Sequence, residues 1–133
     1  MSVLYGVGTG PGDPELLTLK AARLIGEVDV VFCPAGRPGR ARTAAGSHLE
    51  GKRVVELEME MRGDPDRALR AAAEQVAREV AGGIGVYLTE GDPSLYSTFA
   101  LLARTLALVA PEVEVRTVAG VTSVCAAAAP RCA

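Results

Sequence analysis

The amino-acid sequence predicts an α/β fold, a doubly wound, mostly parallel five-stranded sheet with helices on both faces. Two observations predict it. Short apolar runs alternate with stretches of helical period along the whole chain. A helix-length stretch separates each run from the next, which demands crossover connections and therefore parallel pairing. The 133 residues suffice for one domain with a real core, and 49% hydrophobic with 23% charged residues is ordinary for a globular protein.

Each element has its own signal. "SVLYGVG" (2–8) reads as a strand that stops at glycines. "PELLTLKAARLIGE" (14–27) places Leu16, Leu17, Leu19, Leu24 and Ile25 near helical spacing and reads as one helix. "VDVVFC" (28–33) is a second strand, ended by Pro34. The basic, Gly/Pro-rich "AGRPGRART" (35–43) follows, then a short helix to Glu50. "KRVVELEM" (52–59) is a third strand. In "PDRALRAAAEQVAREVA" (65–81), Leu69, Ala72, Ala73, Val76 and Val80 share one side of an Ala-rich helix. "GIGVYL" (83–88) is a fourth strand and 93–109 another helix. "EVEVRTV" (112–118) is the fifth strand, and "GVTSVCAAAA" (120–129) opens as a glycine turn into a helix.

Gly-Asp-Pro occurs three times, at 12–14, 63–65 and 91–93. Glycine permits a turn, aspartate caps a helix and proline suits a first helical turn. That explanation suffices for Gly63-Asp64-Pro65. The other two copies directly follow a strand. They therefore lie at the carboxyl edge of the sheet, where open α/β sheets bind ligands.

Several classes of function are disfavoured. A net charge of −2 with three tyrosines, two phenylalanines and no tryptophan makes a poor nucleic-acid footprint. The start "MSVLYGVGTG" lacks the basic and apolar regions of a signal peptide, and no apolar stretch approaches a membrane span. Cys33, Cys125 and Cys132 are an odd set with no C-x-x-C spacing, which fits a reducing cytoplasm and offers neither metal site nor disulfide framework. His48, the single histidine, reads as a surface residue. In "GVGTGPGDPELL", Gly6, Gly8, Gly10 and Gly12 would let a ligand approach the backbone. Pro11, however, breaks the G-x-G-x-x-G spacing, and no G-K-[ST] is present. In "TEGDPSLYSTF", Glu90 and Asp92 would repel phosphates and suit hydroxyls, amines or positive charge. In "VAGVTSVCAAAA", Gly120 turns the chain and Thr122 and Ser123 offer hydroxyls and N–H groups at a helix start. Taken singly, the first and third loops are ordinary turns. Three such loops on one edge favour a polar, cationic or zwitterionic nucleoside.

These residues resemble a known family. "GVGTGPGDPELLTLKAARLI", "VYLTEGDPSLYSTFALLARTL" and "VAGVTSVCAAAA" are similar, in order and spacing across residues 3 to about 129, to the signatures of the tetrapyrrole methylases, which include the cobalamin and sirohaem methyltransferases. "TEGDPSLYSTF" and the basic stretch after the second strand are most similar to the members that methylate precorrin-2 at C20, although "ELEMEMRGD", which sits where those members often have a Pro-Met pair, lacks the proline. The resemblance implies S-adenosyl-L-methionine as cofactor, bound between two domains. Carried over, Pro11 lines the cofactor pocket, Glu90, Gly91 and Asp92 contact it, Leu95 packs against it, and Thr122 and Ser123 complete it. It implies that a ring carbon of precorrin-2 attacks the sulfonium methyl to give precorrin-3A, with no metal and no protein nucleophile. A base is not identifiable. Arg37, Arg40 and Arg42 would either meet the substrate's carboxylates or form a solvated loop.

The resemblance implies further that full-length members are homodimers of roughly twice this length. Residues 1–119 are then the N-terminal methylase domain. Residues 120–133 begin the segment leading to a second domain that this sequence is expected to lack. Two other readings stay open: a different tetrapyrrole substrate, such as uroporphyrinogen III or another precorrin, and a non-catalytic nucleotide-binding module.

Overall fold

The strands are β1 (Ser2–Gly8), β2 (Val30–Pro34), β3 (Arg53–Leu57), β4 (Ile84–Thr89) and β5 (Val113–Val118). In this computed structural model, which describes residues 1–35, 39–59, 62–94 and 97–132, they form one sheet in the order β3-β2-β4-β1-β5. Every pair in that sheet is parallel. The chain runs from β1 outward to β3, returns to β4 and finishes at β5. The fold is therefore doubly wound, as the alternating pattern predicts.

The helices that make these crossings are α1 (Leu19–Glu27), α2 (Arg40–Ala45), α3 (Pro65–Glu79) and α4 (Thr98–Val109), and α5 (Ser123–Cys132) follows the last strand. Because side chains alternate across a strand, each central strand feeds two cores. On one face Leu4, Val30, Phe32, Leu57 and Tyr87 pack with Ala73 and Val76 of α3 and with Phe99, Leu102 and Leu106 of α4. On the other, Val7, Val31, Val86 and Leu88 pack with Ala21, Leu24 and Ile25 of α1 and with Ala41 and Ala45 of α2. Burying each large apolar side chain contributes at most about 1.5–3 kcal/mol. The edge strand β5 buries only Val113 and Val118, whereas β4 is buried from Gly85 to Thr89.

Several boundaries differ from expectation, and the causes are local caps. Residues 14–27 are two pieces, a single 3-10 turn at Pro14–Leu16 and then α1. Asp13 accepts from Glu15 N at 2.9 Å to form the first, and Thr18 accepts from Ala21 N at 3.1 Å to start the second. The stretch after β2 becomes helical at Arg40 and continues as a 3-10 turn at Gly46–Leu49, which carries an exposed His48. α3 starts as expected, Asp64 accepting from Arg67 N at 3.1 Å. α4 begins at Thr98 rather than 93, and α5 at Ser123 rather than 120.

Candidate functional site

Three loops leave the carboxyl edge of adjacent strands β4, β1 and β5, and backbone contacts lock them together. Thr9, fully buried beyond the end of β1, donates from N (2.9 Å) and from Oγ1 (3.1 Å) to the carbonyl of Thr89 at the end of β4. One step further, Gly10 and Gly91 form an antiparallel bridge. Gly10 N donates to Gly91 O at 3.3 Å and Gly91 N to Gly10 O at 2.9 Å. The loop after β5 closes on both. A Cβ on Gly120 would collide with Gly91 O and lie 2.8 Å from Gly8, and a Cβ on Gly8 would collide with Gly91 O and lie 2.8 Å from Gly120.

This corrects one expectation about the glycines. The space beside Gly6 and Gly8 does not admit a ligand, because the Phe99 ring fills the first and neighbouring backbone the second. Gly8 is glycine so that the three loops can approach one another, and Gly6 so that the Phe99 ring can lie against β1.

The Asp92 side chain joins the second loop to the third, as the Thr9 hydroxyl joins the first to the second. Asp92 Oδ1 accepts from Gly120 N at 2.9 Å and its Oδ2 from Ser94 N at 2.8 Å. Asp92 is thus not a helix cap, as its sequence context suggests. α4 starts six residues later, and its N-cap Ser97 makes no capping bond of its own. The Gly120 N–H, chiefly, and the Ser94 contacts hold the Asp92 carboxyl below its ordinary range, against an opposing effect of burial.

The expected cofactor residues fall around this junction. Pro11 follows the Gly10 bridge and is half-buried. Glu90 is exposed beside Gly39, the residue that opens α2. A Cβ on Gly91 would lie 3.8 Å from Thr122 Cα, so the second and third loops touch here too. Thr122 Oγ1 accepts from Cys125 N at 3.2 Å and caps α5, of which Ser123 is the exposed first residue. Leu95 lies outside the described residues. Sequence reasoning missed Gly8, Thr9, Thr89 and Gly120 as a unit. Their signal was a small residue just where strands end.

Of the three arginines, Arg37 and the side chain of Arg40 lie outside the described residues. Arg42 is tied to Glu56 on β3 at 3.0 Å, both about half exposed. It sits near the buried Cys33 thiol, which burial pushes up and Arg42 pulls partly back. An open depression of about 550 Å³ lined by Arg42, Leu49, Lys52 and Val54 lies beside α2 and β3 and includes none of the expected cofactor residues.

Comparison with known proteins meets this geometry. Residues 3–130 match the family model of the tetrapyrrole (corrin/porphyrin) methylases. The chain is 41% identical over 121 residues to a precorrin-2 C(20)-methyltransferase of a Sinorhizobium species, covering 78% of this chain and 49% of that one. It is 36% identical over 135 residues to a cobalt-precorrin-2 C(20)-methyltransferase of Salmonella typhimurium, covering 95% and 55%. A uroporphyrin-III C-methyl transferase from Thermus thermophilus, solved with S-adenosyl homocysteine, superposes with a TM-score of 0.69 at 34% identity, covering 93% of this chain and 50% of that one. The chain thus spans about half the length of the curated relatives it matches. Matched over nearly all its residues, it belongs to the tetrapyrrole methylase family.

Proposed function

We propose that the three-loop edge holds S-adenosyl-L-methionine, and that the chain carries the donor side of a C-methyltransferase of corrin-ring biosynthesis that converts precorrin-2 to precorrin-3A by methylation at C20. The observation that carries this reading is the meeting of three separated sequence signatures at one junction, with Pro11, Glu90, Gly91, Asp92 and Thr122 gathered around the Gly10–Gly91 bridge. Leu95 and Ser123 belong to the same reading through the family resemblance. The names of the relatives support the choice of ring carbon, and they cover substrates with and without cobalt.

The donor set fits the cofactor. The acidic Glu90 at the exposed edge and the Thr122 hydroxyl suit a molecule bearing a sulfonium, an ammonium and ribose hydroxyls. When bound, S-adenosylmethionine supplies an already activated methyl group. The chain's own task is to orient and to exclude water. Glu90 places negative charge at the edge, while Gly91 and Asp92 belong to the junction that sets the loops around it. Gly39 beside Glu90 brings the start of α2 toward the same edge. Arg37, Arg40 and Arg42 are assigned to the substrate's carboxylates. Arg42 would have to exchange its partner Glu56 for them.

In the same reading, residues 1–119 are the N-terminal methylase domain and 120–133 open the segment toward a second one. The working form is a cytoplasmic homodimer. Among the described residues no helix is long and apolar enough to cross a membrane. Titration calorimetry with S-adenosylhomocysteine and with NAD tests the cofactor. Binding of the former alone is expected, and binding of NAD, or of neither, would overturn the assignment.

A further inference from the structure

We infer that Asp92 is a positioning residue, a carboxylate that holds the second and third loops in register by accepting the Gly120 N–H rather than by touching the cofactor with its charge. This rests on the reading of the edge as a cofactor site and deepens it. Both Asp92 oxygens are already engaged with backbone amides of this chain, Oδ1 with Gly120 and Oδ2 with Ser94. One of those amides is 28 residues away, on a different strand's loop. A bond that closes a local turn needs no such partner.

The surroundings point the same way. Gly120 is packed against Gly8 and the Gly91 carbonyl so closely that no side chain fits on either Gly8 or Gly120. Backbone that tight has one productive arrangement, and something must hold the β5–α5 loop in it. Among the described residues, the Asp92 bond is the hydrogen bond that does so from the second loop. Thr122 and Ser123 follow Gly120 by two and three residues. A shift of Gly120 therefore moves the third-loop contribution to the site relative to Gly91. The lowered Asp92 pKa is consistent with a carboxylate employed as an acceptor within the fold.

The two roles separate by substitution. Asp92→Asn keeps an oxygen for Gly120 N–H and removes the charge, and Asp92→Ala removes both. Two measurements are made on each form. One is amide hydrogen exchange of Gly120 in ligand-free protein, and the other is the dissociation constant for S-adenosylhomocysteine. The expected result is that Asp92→Ala loses Gly120 protection and binds at least tenfold more weakly. Asp92→Asn keeps protection and recovers affinity to within about threefold of the unsubstituted chain, the lost Ser94 bond accounting for the rest. Unchanged Gly120 exchange in Asp92→Ala overturns the inference whatever the ligand does. Equal weakening in both variants, with Gly120 still protected in Asp92→Asn, also overturns it, because the charge itself then contacts the ligand. If the unsubstituted chain binds no S-adenosylhomocysteine while Asp92→Ala loses Gly120 protection, the clamp stands and the cofactor reading falls.

Discussion

Gly120 and Gly26 are both glycines on this chain's surface side, and they predict opposite outcomes for the same substitution. Gly120 has backbone atoms of Gly8 and Gly91 where a methyl would go. Gly120→Ala must part the loops, and overpacking of this kind costs about 1–3 kcal/mol. A lowered melting temperature together with weaker S-adenosylhomocysteine binding is expected. Gly26 lies inside α1 with nothing within 4 Å of an added Cβ and without a left-handed backbone. Gly26→Ala should instead stabilise by roughly 0.5–1 kcal/mol. A third residue sets the alkaline limit. Tyr87 is fully buried, its hydroxyl 2.8 Å from Thr98 Oγ1, and burial pushes its pKa up to about 12 against that hydrogen bond. The folded state favours the neutral phenol, so this contribution is intact below the ordinary phenol range, near pH 10, and is lost as pH climbs toward 12. Tyr87→Phe should therefore unfold less steeply than the unsubstituted chain between those values, as followed by circular dichroism. Asp92 has the opposite sign. Its carboxyl is held low, so its contribution is present above the ordinary carboxylate range and disappears as pH falls through and below it.

At the scale of elements, the three Gly-Asp-Pro turns show what was legible. Asp64 does what its neighbourhood says, capping α3 through a partner three residues away. The whole of α3 was readable, because Leu69, Ala72, Ala73 and Val76 repeat at helical spacing and are the residues that face the core. Asp13 was readable as a cap, but the extent of its element was not. Leu16 and Leu17 continue the apolar period into α1, while Thr18 interrupts it by accepting from Ala21 N. Asp92 was unreadable as a clamp because its decisive partner, Gly120, is distant in sequence and becomes a neighbour only once β5 pairs with β1. The parallel, doubly wound sheet and the shared edge of the three loops followed from pattern alone, whereas the strand order β3-β2-β4-β1-β5 emerges only from the structure. The glycine junction did not, since it depends on how closely backbone meets backbone. These differences can be measured. Asp64→Ala and Thr18→Ala each remove one helix cap and should each cost about 1 kcal/mol in chemical denaturation without changing S-adenosylhomocysteine affinity. A fall in affinity for either variant would mean that the helix starts, and not only the loops, shape the site.

For the molecule as a whole, two cores share one set of strands. Leu4 and Tyr5, Val31 and Phe32, and Tyr87 and Leu88 are adjacent residues that point to opposite faces. Neither face can lose its packing while the other keeps its strands, so residues 2–118 should unfold in one cooperative step, with backbone and tyrosine signals coincident. α5 stands apart from this arrangement. None of residues 123–128 is buried, and Val124 is 76% exposed on a helix otherwise rich in alanine. None of residues 123–128 belongs to either core. Val124→Lys should accordingly leave the melting midpoint within about 0.5 kcal/mol of the unsubstituted chain, as for other surface positions. Replacing an exposed apolar side chain by a charge should also reduce self-association, read as a smaller weight-average mass by sedimentation at high concentration. A midpoint lowered well beyond that margin would show that α5 folds back onto the domain in solution, and the geometry of the third loop, from Gly120 through Ser123, would have to be redrawn with it.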